Sequence, residues 1–474
     1  MANGYADVLV GLQYGDEGKG RVIDLLAAQG EYGVIARYNG GANAGHVLEV
    51  NTASGLKRIA LHQVPSGIFH QNMMLYIGSG CVVNPVALQK EVANIRDVDV
   101  SLDGRLHISS LAALVQPHHI LLDSLTGGGI GTTGQGIGPA YADRARRAQG
   151  NMVLHLRTGD LLADPDETLK LVRSNLNFVI ATHKIHDVDR RKLMDEFSAA
   201  ATAMLQYIQP DTQFMIKLAR RGVNTLFEGA QSYGLDVVYG QVPYVTSSHT
   251  LAGAANVGGD LPPNYQRHTY GVIKAIMSRV GWGPFVSEFG GARSEQYCMK
   301  DMANINAKVF EAKQDVRALL ASDAPFDVGQ GLRILGNEYG ATTGRPRRIG
   351  SLDLVQARQA VLANGVDALF ITKGDCLADF GGTRAGTIPL VTGYRLDGKP
   401  IDYVPAALAV CKRIEPAVKH LPCFDRGNIA NARTAEDLPQ ALRAFISHVE
   451  ANTNCPVRGV GVGPQREQFV FLNG

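Results

Sequence analysis

The sequence predicts an α/β protein: a large, mostly parallel central sheet flanked by helices, P-loop-like at its start and carrying additional subdomains. Three observations carry this. The opening stretch ADVLVGLQYGDEGKGRVIDLLAAQG runs from an apolar strand pattern through a glycine loop into a helical pattern stopped at Gly30, as phosphate-binding folds begin. Further apolar runs (GVIARY, MLYIGSG, NTLFEGA, YGVIKAIMSRV and DALFITKGD) alternate with helical patterns such as SLDLVQARQAVLANG and LPQALRAFISHVEANTN. Such alternation favours parallel strands covered on both faces. Finally, many of the 54 glycines fall in clusters, which suits loops where backbone approaches a ligand.

The elements follow in order. In GKGRVIDLLAAQG, residues Val22, Ile23, Leu25 and Leu26 supply the apolar helix face. Residues 301–326 place Met302, Ile305, Val309, Val316 and Leu319 at helical spacing, with Lys308, Lys313 and Asp315 opposite. This predicts an amphipathic helix packed on the body of the protein. No repeat, low-complexity tract or linker-like composition divides the 474 residues, so the chain reads as one domain, 1–474, with a helical stretch near 299–330.

Composition excludes several classes. Charged residues are 19% and the formal net charge is +2, which gives no global pull toward nucleic acid or membrane. No apolar run reaches the length of a spanning helix, and MANGYADVLVG is no signal peptide. The six cysteines are scattered with no C-x-x-C pair, which excludes a disulfide framework and a structural zinc site and fits a cytoplasmic location.

The chemistry lies in the loops. In GLQYGDEGKG, Gly15, Gly18 and Gly20 turn backbone N–H groups toward phosphate oxygens, and Lys19 adds a cation at the helix start. Gln13 and Gly20 stand where the standard P-loop has Gly and Ser or Thr. The usual Mg²⁺ hydroxyl is therefore missing, and Asp16 can replace it with a hard oxygen. The same carboxylate could take a proton from a substrate beside the phosphates. RYNGGANAGHV sets Asn43 and His46 among glycines, where a protonated histidine can serve a departing phosphate. GIGTTGQGIGPAY, PYVTSSHTLAG and GATTGRPRR combine hydroxyls, glycine amides and, in the last, Arg345, Arg347 and Arg348, a pattern suited to anions and to bidentate binding of a dicarboxylate. FITKGD places Lys373 and Asp375 after a strand; an aspartate there can accept from N1–H and the amine of guanine, which selects GTP over ATP.

Together, QYGDEGKG, NGGANAGH, GTTGQGIGPAY, FEGAQ, PYVTSS, GNEYGATTGRPRR, TKGD and GVGPQRE, in this order over almost the whole chain, resemble the adenylosuccinate synthetase family. The resemblance implies a purine-biosynthetic ligase that joins L-aspartate to IMP through 6-phosphoryl-IMP, at the expense of GTP. It implies a catalytic set of Asp16, His46, Lys19 and Gln231, with Asp16 as base and His46 as acid. IMP would be held by Asp16, Lys19, Asn43, Ala44, Gly45, His46, Thr133, Arg147, Gln231, Thr246 and Arg345. Aspartate would be held by Ala341, Thr342, Thr343, Gly344, Arg345 and Arg347. GTP would meet Gly15, Asp16, Glu17, Gly18, Lys19, Gly20, Arg21, Gly45, His46 and Val47, then Arg347, Lys373, Gly374, Asp375, Gly461, Val462 and Gly463. One Mg²⁺ per subunit would sit on Asp16 and the carbonyl of Gly45. The resemblance also implies a cytoplasmic homodimer in which Arg147, with Arg146 as rival in DRARRAQG, reaches IMP across the interface. Neither nucleic acid nor membrane enters as a partner.

The chain departs from the family pattern in places. Val47 stands where Thr is usual, Gln135 where Arg is common, and Pro346 interrupts the basic run. The stretch around 290–330 is longer than in typical members. A phage-type branch acts on dGMP and tends to lack the aspartate corresponding to Asp16, which this chain has.

Overall fold

The strand Ala6–Gly11 is buried at every position, as an apolar run covered on both faces must be. The structure, a computed structural model, describes residues 3–52, 55–126, 132–302, 305–340 and 344–472. The architecture is mixed α/β, with a large, mostly parallel sheet and many helices.

Contacts divide the chain into two units. One comprises Met1–Leu9, Gly20–Gln231 and Thr246–His268; the other comprises Val10–Lys19, Ser232–Val245 and Thr269–Gly474. In the first, strands run in the order Ile208–Gln209, Leu106–Ser109, Met74–Ile77, Val34–Arg37, Thr225–Glu228 and Ala6–Gly11, every pairing parallel. A two-stranded ribbon, His46–Thr52 with Gly55–Leu61, follows the glycine-rich turn. The helix Ile137–Arg146 buries Ile137 and Ala140 against Val82, Ala113 and Val115. Tyr141 on that helix donates to Gly80 O at 2.7 Å and accepts from Gly40 N at 3.0 Å, so the turn at Gly40 is held from the side.

In the second unit Gln266–Lys274, Ala368–Thr372 and Val457–Gly461 pair in parallel, with Phe469–Phe471 antiparallel at the edge. A second sheet orders Ile276–Arg279, Arg348–Asp353, Thr387–Leu396 and Lys399–Ile401, with Ile414–Pro422 also on Thr387–Leu396. The run read as one strand, YGVIKAIMSRV, is therefore two, and its halves serve different sheets.

The predicted helices form as Lys19–Ala27, Leu354–Asn364 and Gln440–Thr453. The amphipathic helix expected over residues 301–326 does not. Short helices stand instead at Ala307–Glu311, Val316–Leu320 and Pro325–Leu335. Local polar chemistry overrides the periodicity. Asn306 caps the first of these on Val309 N, and Asp315 caps the second on Arg317 N and Ala318 N. Pro325 starts the third, where its missing N–H costs nothing. Among the described residues no helix is long and apolar enough to cross a membrane, and the six cysteines are free thiols.

Candidate active site

The phosphate loop is built on left-handed backbone. Gly15, Asp16 and Gly18 have φ of 93°, 57° and 88°; glycine adopts this freely, whereas an aspartate there is sparsely populated and held by its surroundings. The holding is visible. Buried Glu17 turns inward and accepts from Gly15 N at 2.8 Å, Lys19 Nζ at 2.8 Å and Ser232 Oγ at 2.5 Å. Its carboxylate staples the loop, so what Glu17 can offer a ligand is backbone. Thr372, which ends the neighbouring strand, donates to Glu17 O at 2.5 Å.

Asp16 points the other way. Its side chain is one-third exposed, and Arg347 Nη2 lies 2.7 Å from Oδ2. Burial pushes its pKa up, but Arg347, Lys274 and Lys19 outweigh that and hold it below the ordinary carboxylate value. Asp16 is thus ionised near neutrality, as a hard-metal ligand or a base must be.

Arg347 is fixed by a hub that motif reading left without a role. Buried Glu338 accepts from Arg347 Nη1 at 2.7 Å and Lys274 Nζ at 3.0 Å, and Lys373 Nζ forms an ion pair with it at 2.5 Å. Burial opposes ionisation, yet Lys274, Lys373 and Arg347 keep Glu338 well below its usual pKa. Lys274 is pushed down by burial despite this partner. The signals were present: Glu338 sits inside GNEYG, and Lys274 is a lysine in an apolar strand run. Of the three arginines in RPRR and its flank, Arg345 is exposed. Arg348 is buried and bidentate to Glu288, at 2.8 and 2.5 Å, a structural pairing.

In the first unit, His46 Nδ1 is hydrogen-bonded to Glu228 Oε1, and Ser66 donates to Glu228 through both N (2.7 Å) and Oγ (2.6 Å). Glu228 is fully buried, and although burial raises its pKa, His46, Arg37 and Ser66 take it down to about 2. An imidazole oriented by a carboxylate is the arrangement of a general acid or base. Glu228, within FEGAQ, is a further residue that motif reading passed over. Gly20 stands against this dyad: a Cβ there would lie 3.0 Å from His46 Cβ. Asn43 and Gln231 close on Gly40, where a Cβ would lie 3.3 Å from Asn43 Oδ1 and 3.2 Å from Gln231 Oε1. Ala44 is buried, and its carbonyl is 2.6 Å from His62 Nδ1.

The remaining predicted residues fall as follows. Thr246 is half-buried and Thr133 is exposed, as are Arg146 and Arg147. Arg147 has a φ of 68° at the end of its helix. Arg21 is half-buried in the first turn of its helix. Lys373, with φ 55°, leads into Gly374, where a Cβ would meet Gly461 O at 2.9 Å; Asp375, Val462 and Gly463 belong to the same unit. Ala341, Thr342 and Thr343 lie outside the described residues, as does the side chain of Val47. The flanks of that loop pair: Gly340 N donates to Arg345 O at 2.8 Å, and Gly344 N to Gly340 O at 2.9 Å.

The donor chemistry fits Mg²⁺. Asp16 offers an ionised, partly exposed carboxylate, a hard oxygen of the kind Mg²⁺ takes. A second group, His118, His119 and Asp143, fits a metal less well. Both Nε2 atoms contact Asp143 Oδ2, at 3.0 and 3.2 Å. Gln116 N donates to His119 Nδ1 at 2.9 Å, so the His119 proton sits on Nε2, where a metal would have to bind.

In one unit a glycine loop with an ionised aspartate and cations around a buried glutamate, and in the other a carboxylate-oriented histidine, are features of nucleotide-dependent phosphoryl-transfer enzymes of the α/β class. Residues 8–470 match the family model for adenylosuccinate synthetase. The chain belongs to that family of GTP-dependent ligases. It is 44% identical over 467 residues to adenylosuccinate synthetase 2 of Cupriavidus pinatubonensis, covering 98% of this chain and 97% of the relative. It is 35% identical over 478 residues to adenylosuccinate synthetase of Chlorobium limicola, covering 98% and 97%. The fully ligated adenylosuccinate synthetase from Plasmodium falciparum has a similar structure, with a TM-score of 0.82 at 28% identity, covering 99% of this chain and 100% of that one.

Proposed function

We propose that the chain joins L-aspartate to IMP in two steps. Asp16 takes the N1 proton of IMP while O6 attacks the γ-phosphorus of GTP, and the β,γ bond breaks toward GDP. His46, oriented by Glu228, donates to or neutralises the departing oxygen, and Lys19 supplies a cation for the phosphates. The aspartate amine then attacks C6 of 6-phosphoryl-IMP, the phosphate leaves with its oxygen, and the amine loses a proton to give adenylosuccinate.

The observation that carries this reading is the Arg347–Asp16 pair at 2.7 Å. It joins the candidate base to the candidate dicarboxylate loop through one guanidinium. When Arg347 turns to a substrate carboxylate, Asp16 loses a cation and becomes a stronger base. Asn43, Ala44, Gly45, Thr133, Gln231, Thr246 and Arg345 hold IMP in this reading. Ala341, Thr342, Thr343, Gly344, Arg345 and Arg347 hold aspartate. The amides of Gly15–Gly20, with Arg21, Val47 and Gly45, hold the phosphates, and Lys373, Gly374, Asp375, Gly461, Val462 and Gly463 hold guanine. Mg²⁺ would be held by Asp16 and the Gly45 carbonyl, where it supplies charge neutralisation on the phosphates. The protein acts as one catalytic domain in the cytoplasm, as a homodimer whose exposed Arg147, or Arg146, serves the partner's IMP.

Phosphate release from GTP, measured with IMP and L-aspartate omitted in turn, tests the reading. Turnover requiring both supports it; GTP hydrolysis indifferent to both overturns it.

A further inference from the structure

One buried carboxylate wires the segment before the aspartate loop to the loop itself. Glu311 ends the helix Ala307–Glu311 and is fully buried. Its Oε2 accepts from Arg333 Nε at 3.0 Å and Tyr339 Oη at 2.6 Å. Its Oε1 accepts from Arg333 Nη2 at 2.7 Å and Gln330 Nε2 at 3.2 Å. The other terminal nitrogen of Arg333, Nη1, donates to the carbonyl of Arg347 at 3.1 Å.

Tyr339 and Arg347 stand on opposite legs of the loop. Tyr339 and Pro346 form an antiparallel bridge, and Arg347 N donates to Glu338 O at 3.0 Å. Glu311 therefore grips both legs, one through a hydroxyl and the other through a guanidinium. Packing agrees: Met302, Ala307 and Tyr339 share a buried apolar cluster with Tyr297. Asn306 also abuts the loop, since a Cβ at Gly344 would lie 2.6 Å from Asn306 Oδ1.

If the segment only filled space, apolar residues would hold it as well as a buried ion pair does. A guanidinium adds direction, because its planar fork carries donors at fixed angles to a carboxylate on one side and to a loop carbonyl on the other. Burial raises the Glu311 pKa, but Arg333 and Tyr339 outweigh it and keep the carboxylate ionised.

We propose that Glu311, through Arg333 and Tyr339, is a positioning residue that sets Arg347 for the amino-acid substrate; the identity of that substrate rests on the reading above.

The double variant Glu311→Met/Arg333→Met tests this. It removes both charges together, so neither is left buried alone. Tyr339→Phe deletes one hydroxyl and is the lighter probe, decisive if the double variant does not fold. The expected result is a KM for L-aspartate raised about tenfold in the double variant, with the KM for IMP changed less than about twofold. Tyr339→Phe shifts the aspartate KM the same way by a smaller factor. Hydrogen exchange at the amides of Gly340 and Arg347 accelerates in both. An aspartate KM unchanged in both variants, or a rise equal for aspartate and IMP, overturns the proposal. If the parent enzyme shows no dependence on aspartate, the substrate reading fails by itself. Exchange at those amides then decides the tether, faster exchange supporting it and unchanged exchange refuting it.

Discussion

Arg347 binds two carboxylates at once: Nη2 lies 2.7 Å from Asp16 Oδ2 and Nη1 lies 2.7 Å from Glu338 Oε2. One guanidinium thus couples a left-handed residue of the phosphate loop to a buried charge hub. Asp16→Asn isolates the charge in this pair, because asparagine tolerates φ > 0 better than most residues. The backbone at φ 57° is then retained while the carboxylate is lost. Steady-state turnover is expected to fall by about 10³-fold, with GTP affinity by titration changed only a few-fold. Substantial residual turnover removes Asp16 from the base role.

Glu228→Gln tests the orientation of His46. A glutamine keeps the shape and can still accept from Ser66, but cannot stabilise an imidazolium. The kcat is expected to fall about 10²-fold with little change in the KM for L-aspartate. A kcat that does not fall refutes the dyad.

Glu338→Gln strands three cations. Lys274 is buried and already depressed by burial, and Lys373 and Arg347 converge on the same carboxylate. Removing one member of a buried ionic group costs about 3–5 kcal/mol. A clear fall in the urea midpoint is expected, and activity lost without any loss of stability would give Glu338 a different role.

Part of the candidate site is legible in the sequence, for a physical reason. Glycine loops and short turns after strands are local features, so Gly15–Lys19 and Lys373–Asp375 show as contiguous motifs. Glu228, Lys274 and Glu338 act through partners far along the chain. The Lys274–Glu338 contact spans 64 positions and the His46–Glu228 contact 182. A local pattern records neither. Residues 301–326 misled for the opposite reason: their apolar period is genuine, but Asn306, Asp315 and Pro325 each restart the helix.

The His118–His119–Asp143 group yields a prediction about pH and stability. His119 is 1% exposed, and burial pushes its pKa down to about 4 although Asp143 pulls it up. The folded protein therefore favours neutral His119, while the unfolded chain protonates near the ordinary value of about 6.5. The stabilisation is fully present above that value and is lost as pH falls through 6.5 toward 4. The gap between 6.5 and about 4 corresponds to about 3 kcal/mol. His119→Gln cannot titrate, so its stability should fall less steeply over this window. Urea unfolding of parent and variant at pH 7.5 and at pH 4 reads the effect. The parent's advantage should be larger at pH 7.5 and should shrink or vanish at pH 4. An advantage constant across the window would mean that His119 keeps the same protonation state in both the folded and unfolded chain.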